Sequence, residues 1–212
     1  MLNLITFDGN NRNLLQGSYD AIKNKDRLEI IIEETETQQI FQQIIGAIKI
    51  PFNATFSFQN LFKLNLPGGH FYIAQCLFDF GYPLGTKGGR SNTHRYNFQV
   101  IGIANCIADL GITYIRPETW VDKFAGYFFD KDIDLSGAEK FNNKYYMAST
   151  KPEYVRSIFN PSFVNCIGKY DDILLTTKNN EIYISFANDL ANNQCRILED
   201  IFSNCNFLVP ED

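Results

Sequence analysis

A glycine-rich basic loop is the part of the sequence whose residue types most readily suggest a binding site. The loop reads Pro83-Leu-Gly-Thr-Lys-Gly-Gly-Arg-Ser91. A phosphate-binding P-loop has the order G-x-x-x-x-G-K-[ST] and precedes a helix, whereas here the order differs and a strand pattern follows. Backbone amides of such a loop can still hold an anion when cationic side chains assist. The candidate ligand- or anion-binding residues are Lys87, Arg90, His94, Arg95 and Trp120. The alternative is a solvated hairpin tip that binds nothing.

Residues for nucleophilic catalysis are scarce. A serine or cysteine nucleophile needs a base beside it, and the chain holds two histidines, His70 and His94. Neither histidine lies in a recognisable motif, and no G-x-S-x-G sequence is present. We therefore predict no catalytic residue and no cofactor, and an enzyme remains an alternative.

An acidic run in the middle of the chain matches a calcium loop in part. Counted from Asp132, oxygen donors fall at positions 1, 3 and 5, and Gly137 stands at position 6, as in an EF-hand. Position 12, where such loops carry a bidentate glutamate, is Asn143. Because the strongest ligand is missing, we predict no metal site, with Ile133 and Leu135 pointing inward and the aspartates solvated.

Composition and charge narrow the class of protein. The chain has 212 residues with 45% apolar and 20% charged residues, which is typical of a globular fold. The net charge is -5, and this argues against a nucleic-acid partner, since phosphate binding needs clustered Lys and Arg. Five cysteines without a C-x-x-C pair predict free, buried thiols. Residues 30–50 are rich in Ile but interrupted by glutamates, so we expect no integral membrane segment. Residues 1–8 lack a basic region and a sustained apolar run, so we expect no signal peptide. Both expectations favour a cytoplasmic location.

Apolar spacing predicts the elements that would position these residues. Ile40, Ile44 and Ile48 recur at helical spacing before Pro51. Arg95–Val100 alternates between polar and apolar residues, as a half-buried strand does. The expected helices lie at about 36–48, from Pro117, from Pro161 with Asn160 as the cap, and from Asp189 as a cap. The expected strands lie at 70–82, 95–100, 112–115, 172–177 and 181–186, and the last two flank Lys178-Asn179-Asn180 as a hairpin. Pro83–Ser91 is then the tip of a long hairpin.

These elements predict an α+β fold. We expect a mostly antiparallel sheet of about five or six strands, covered on one face by three or four helices. The polar N-terminal region differs in character from the rest. We therefore expect a helical or irregular region over 1–65, packed on or beside an α+β domain over 66–212.

An ordered set of motifs over about residues 70–187 resembles a broad group of uncharacterised bacterial proteins of unknown function. The motifs run from Leu77-Phe-Asp-Phe-Gly-Tyr-Pro83 through Tyr114-Ile-Arg-Pro-Glu118 and Asp132-Ile-Asp-Leu135 to Lys140-Phe-Asn-Asn-Lys-Tyr-Tyr146 and Val155-Arg-Ser-Ile-Phe-Asn-Pro161. Some members of that group carry membrane segments ahead of this region. The resemblance implies no catalytic residue, and it implies that Arg156 is an ion-pair or capping residue or contacts an anion.

Taken together, the sequence favours a non-enzymatic cytoplasmic interaction or scaffolding domain. Its partner would be another protein or a further copy of the chain, reached through the hairpin and the N-terminal helix. One alternative is a small-ligand or anion-binding protein, conceivably an enzyme, that uses the basic hairpin loop. A second alternative is a membrane-peripheral module, by analogy with the similar proteins.

Overall fold

The described residues of this computed structural model form eight strands and five helices. They are residues 28–30, 34–47, 54–66, 69–86, 89–118, 133–188 and 193–205, with the backbone alone at 28–30, 34–36, 58–60 and 81–96. The strands are β1 (Leu28–Ile30), β2 (Ala54–Leu66), β3 (Gly69–Thr86), β4 (Gly89–Asn105), β5 (Thr113–Pro117), β6 (Tyr145–Ser149), β7 (Ile173–Lys178) and β8 (Glu181–Phe186). The helices are α1 (Glu34–Ala47), α2 (Glu139–Asn142), α3 (Pro152–Ile158), α4 (Pro161–Ile167) and α5 (Gln194–Ser203).

All eight strands belong to one sheet with the order β1-β2-β3-β4-β8-β7-β5-β6. Every neighbouring pair is antiparallel, which confirms the α+β class and the antiparallel sheet. The predicted count of five or six strands and three or four helices was too low. A register shift between Phe58 and Asn60 interrupts the alternation of β2, and β6 has only five residues, so neither gave a clear periodic signal. The sheet continues across residue 65, since β2 ends at Leu66.

Both faces of the sheet are covered, and this corrects the expectation of helices on one face only. In β3 the buried side chains alternate between two hydrophobic cores. One core contains Phe71, Ile73 and Leu77, and the other contains Tyr72, Ala74, Cys76 and Phe78. A strand that is buried on both faces reads as a continuous apolar run, so its sequence does not reveal which residues face which layer.

Helix α1 covers the smaller core and matches the helix predicted at 36–48. Ile40 and Ile44 are buried there, one helical turn apart. The ammonium group of Lys178, at the end of β7, donates a hydrogen bond of 2.9 Å to the Gly46 carbonyl oxygen. A cation at this position stabilises the last carbonyl groups of the helix and complements its dipole.

The larger core lies beneath α2–α5 and contains side chains from each of the strands β2–β8. Asn160 caps α4, because its side-chain oxygen accepts a hydrogen bond of 2.7 Å from the Phe163 amide, and Pro161 occupies the first helical turn. This cap was predicted from the sequence. Helix α5 packs on β3 and β4, with the rings of Phe71 and Phe202 stacked at 4.5 Å.

Of the helix starts predicted at Pro117 and Asp189, the described residues include only the first. Pro117 does not begin a helix: it is the last residue of β5 and pairs with Tyr145 of β6. The Glu118 amide then donates to the Lys144 carbonyl oxygen, so the chain leaves β5 still bonded to its neighbour. The helix predicted over Trp120–Phe128 and the cap predicted at Asp189 lie outside the described residues. The described part of the last helix begins at Gln194.

The β7–β8 hairpin confirms the prediction made for residues 172–186. Ile173–Lys178 pairs with Glu181–Phe186, and Asn179 in the turn has a φ of 58°. Asparagine tolerates this left-handed conformation better than most residues do. No helix among the described residues is long and apolar enough to cross a membrane.

Candidate functional site

The predicted hairpin is a two-stranded ribbon that extends past the neighbouring strand β2. The last residue pair between β2 and β3 is Ala54 with Phe80. Strands β3 and β4 continue for six further pairs, from Gly81 with His94 to Thr86 with Gly89. We call residues 81–86 and 89–94 the ribbon. At the strand rise of about 3.3 Å per residue, it is roughly 20 Å long.

The candidate anion-binding residues are spread along this ribbon. The register places Arg90 opposite Gly85 and His94 opposite Gly81, at positions that share one face. Arg95 stands opposite Phe80, at a position of the other face. Arg90 and His94 are four residue steps apart in the strand, a distance of about 13 Å along the backbone. Lys87 and Trp120 lie outside the described residues.

The charge of the ribbon is opposite to that of the chain. The sequence has no aspartate or glutamate between Asp79 and Asp109, and it places Lys87, Arg90 and Arg95 in this interval. The whole chain carries a net charge of -5. A positive element on an acidic protein attracts negatively charged partners and repels further copies of itself.

A second surface feature is an open depression of about 650 Å³ around the acidic run. It is lined by Asp134, Leu135, Ser136, Gly137, Glu139, Asn142 and Asn143. Ile133 and Leu135 are buried and Asp134 is exposed, as predicted. The Asn142 side chain accepts from the Leu135 amide and donates to the Leu135 carbonyl oxygen, which fixes the loop. Within the described ranges, no three His, Cys, Asp or Glu side chains are placed to share a metal ion.

A third cluster joins α4 to α5, and the sequence gave no signal for it. The Cys166 thiol and the Tyr170 hydroxyl both donate to Asp200 Oδ2, at 3.2 Å and 2.7 Å. Burial and the neighbouring carboxylate raise the pKa of Cys166 to about 12, so this thiol is protonated at neutral pH. A thiol held in this form is a poor nucleophile, and the cluster is a structural link between two helices.

All five cysteines are free and buried, as the odd number and spacing predicted. Burial raises the pKa of Cys106 to about 12 and holds the pKa of the Cys76 and Cys205 thiols well above their usual range. The cysteines therefore contribute to packing.

The outer face of β5 and β6 carries partly exposed aromatic side chains. Tyr114 is 51% exposed and Ile112 is 43% exposed. The Arg116 guanidinium lies over the Tyr146 ring, 4.7 Å from its centroid. The sequence predicted a short strand at 112–115 but not which of its faces is exposed.

Comparisons with known proteins leave these features without a precedent. No family model, no curated protein and no solved structure matches the chain significantly.

Proposed function

We propose that the protein is a non-enzymatic interaction module of the cytoplasm that binds a negatively charged protein through the β3–β4 ribbon. The observation that carries the proposal is the extension of β3 and β4 by six residue pairs past the last pair with β2. Within the part of the chain that the structure describes, no third strand supports this ribbon, and a two-stranded ribbon alone is only marginally stable in water. The presence of such a ribbon in the fold is explained if contacts with a partner bury part of it.

Charge supports the same proposal. The sequence interval between Asp79 and Asp109, which includes the ribbon, contains Lys87, Arg90 and Arg95 and no carboxylate, on a chain whose net charge is -5. Positive elements on such a protein steer an acidic partner into contact and raise the association rate. Because they also repel a second copy of the same ribbon, we favour a different protein over a homo-oligomer.

The spacing of the cations favours a large partner over a small anion. A single phosphate group is bound by donors that converge on a few ångströms, whereas Arg90 and His94 stand about 13 Å apart along one strand. A cation at position 90 and a histidine at position 94 on one face of the strand suit a partner that extends beside it. The small-anion alternative therefore has less support than the protein partner.

The test compares the native chain with a variant in which Pro83–Asn92 is replaced by Asn-Gly, a two-residue turn that suits a hairpin and leaves Tyr82 and Thr93 as the closing pair. Proteins retained from a cytoplasmic extract are identified by quantitative mass spectrometry, and the most enriched protein is purified for titration. We expect the shortened ribbon to weaken that binding at least tenfold, with a steep dependence on salt.

The matched control is Arg156→Ala, which removes one cation from an exposed ion pair with Glu153 on α3. We expect this variant to bind like the native chain. Equal affinity of the native and shortened chains would refute the proposal. Light scattering that shows a dimer in the native chain and a monomer in the shortened chain would replace the heterologous partner with a second copy.

A further inference from the structure

The backbone of β4 gives this proposed function a more specific form. Strand β4 spans Gly89–Asn105, but its pairing with β8 covers only Gly102–Asn105. Among the strands that the structure describes, none pairs with residues 89–96 on the side facing away from β3. A strand edge with unused amide and carbonyl groups can accept a further strand.

The hydrogen bonds at the end of β4 show which of its residues face this edge. The Cys106 amide donates to the Asn180 carbonyl oxygen, on the β8 side. In an antiparallel ladder, successive residues bond alternately to one neighbour and to the other. The β3–β4 register has no shift, so the even-numbered residues Arg90, Asn92 and His94 direct their amide and carbonyl groups away from β3.

Pro83 agrees with this assignment and distinguishes the two edges of the ribbon. Pro83 stands opposite Asn92, where the alternation requires no hydrogen bond between the two strands. Its missing amide therefore interrupts only the outer edge of β3, which is a common way to block pairing at an edge. The sequence of β4 contains no proline, so its edge keeps every amide.

We infer that an acidic segment of the partner protein, in extended conformation, adds to the sheet as a strand along residues 89–96 of β4. This inference rests on the proposed function of the ribbon. Main-chain hydrogen bonds to Arg90, Asn92 and His94 provide affinity in such strand addition. Carboxylates on one face of the added segment match the cation at position 90, and this selects an acidic sequence.

The test uses an acetylated, fluorescein-labelled (Glu-Val)5 peptide, which is acidic and has a high tendency to extend. Its affinity is measured by fluorescence polarisation for the native chain, for Asn92→Pro and for Asn92→Ala. Proline removes the outward amide but no β3–β4 hydrogen bond, whereas alanine keeps the amide. We expect Asn92→Pro to weaken binding at least tenfold and Asn92→Ala to change it less than twofold.

A second measurement does not depend on how the proline variant folds. The same peptide with N-methyl groups at alternate residues cannot donate along one edge, and we expect it to bind the native chain at least tenfold more weakly. Bound peptide should also slow hydrogen exchange at the amides of Arg90, Asn92 and His94, while those of Ser91 and Thr93 change little.

Four outcomes would overturn the inference, the last of them together with the proposed function. Binding that Arg90→Glu weakens, but that neither proline nor N-methylation affects, would show attraction by charge without strand addition. Tighter binding of a single-stranded oligonucleotide than of the peptide would point to a nucleic acid. If the shortened ribbon loses its natural partner while Asn92→Pro keeps it, the proposed function stands and strand addition fails. If the shortened ribbon keeps the partner, the proposed function itself fails.

Discussion

Asn160 and Asn193 each precede a helix, but they contribute differently to it. The Asn160 side chain accepts a hydrogen bond from the Phe163 amide, and its backbone is extended, as a cap requires. Asn193 has helical backbone angles, and its side chain makes no capping hydrogen bond. The same residue type at the same position therefore contributes to stability in one case only.

We predict that Asn160→Ala lowers the free energy of unfolding by about 1 kcal/mol, because the amide of Phe163 loses its partner. Asn193→Ala is the matched control and should change it by less than about 0.5 kcal/mol. Urea unfolding followed by circular dichroism gives both values. Equal losses in the two variants would contradict the assignment of the cap.

Asp200 makes stability depend on pH. Hydrogen bonds from Tyr170 and Cys166, together with the charge of Lys169, hold the pKa of this carboxyl below its usual range. A carboxylate with a lowered pKa in the folded state stabilises the fold above its unfolded pKa of about 4, and that contribution is lost as the pH falls through the folded value.

We therefore expect the difference in unfolding free energy between the native chain and Asp200→Asn to be constant from pH 7 to about pH 5. It should then shrink as the pH is lowered towards 3. Tyr170→Phe removes the strongest hydrogen bond to the carboxylate, so its own curve should depend less on pH than that of the native chain. A difference that stays constant down to pH 3 would show that Asp200 has an unperturbed pKa.

At this scale, the sequence predicted residues whose partners are near in the chain. The Asn160 cap and the turn at Asn179 depend on neighbours within three residues, and both were predicted. The Cys166–Asp200 contact joins residues 34 positions apart on two helices, so no local pattern could indicate it. The candidate binding residues were chosen by type, and the positions of Arg90, His94 and Arg95 along a strand came only from the register.

At the scale of elements, Gly102 determines how closely α5 approaches the sheet. A Cβ atom at this position would lie 2.6 Å from Cε2 of Phe202 and 2.9 Å from Cδ2 of Leu198. Both side chains are buried, so they have little room to move aside. A glycine within a strand can mark such a close approach of another element.

We predict that Gly102→Ala lowers the free energy of unfolding by about 1–3 kcal/mol through overpacking. Gly46→Ala is the control, since the nearest atom to its new Cβ would be the Lys178 ammonium nitrogen at 3.6 Å. Because alanine favours the helix, the control should gain about 0.5–1 kcal/mol. Chemical unfolding of both variants shows whether each substitution lowers or raises the free energy of unfolding. A higher free energy of unfolding in Gly102→Ala would show that α5 packs elsewhere.

Strongly periodic elements were predictable, and interrupted ones were not. The helix at 36–48 and strand β4 follow from periodic spacing, whereas β3 and the β7–β8 hairpin were predicted from strand-forming runs bounded by turn residues. Pro117 was assigned to a helix because proline suits both a first helical turn and the end of a strand. Strand β2 was not predicted, because a bulge shifts the alternation of its side chains between the two faces.

At the scale of the whole molecule, the sheet separates two cores of unequal size. Four helices cover the larger core, and α1 covers the smaller one. The sequence predicted the class of the fold, but apolar residues on both faces of β3 and β4 gave no sign of two layers. The cysteines lie in both cores, so their reactivity reports on each layer.

We predict that none of the five thiols reacts with Ellman's reagent at pH 8 within minutes in the folded protein, because all are buried. All five should react at once in denaturant. The absorbance of the released chromophore gives the number of reacted thiols in the folded and in the denatured protein. Rapid reaction of one thiol in the native chain would show that its layer opens locally.

Strand β8 alone joins β1–β4 to the group formed by β5, β6 and β7. During synthesis on the ribosome, residues 181–186 emerge after every other described strand. The nascent chain therefore holds two separate partial sheets until residues 181–186 leave the exit tunnel, and the side of β4 that pairs with β8 stays exposed throughout that interval. A premature stop before residue 181 would release a chain that lacks the strand pairing with both β4 and β7. We expect such truncated products to bind chaperones, because their unpaired strand edges stay exposed.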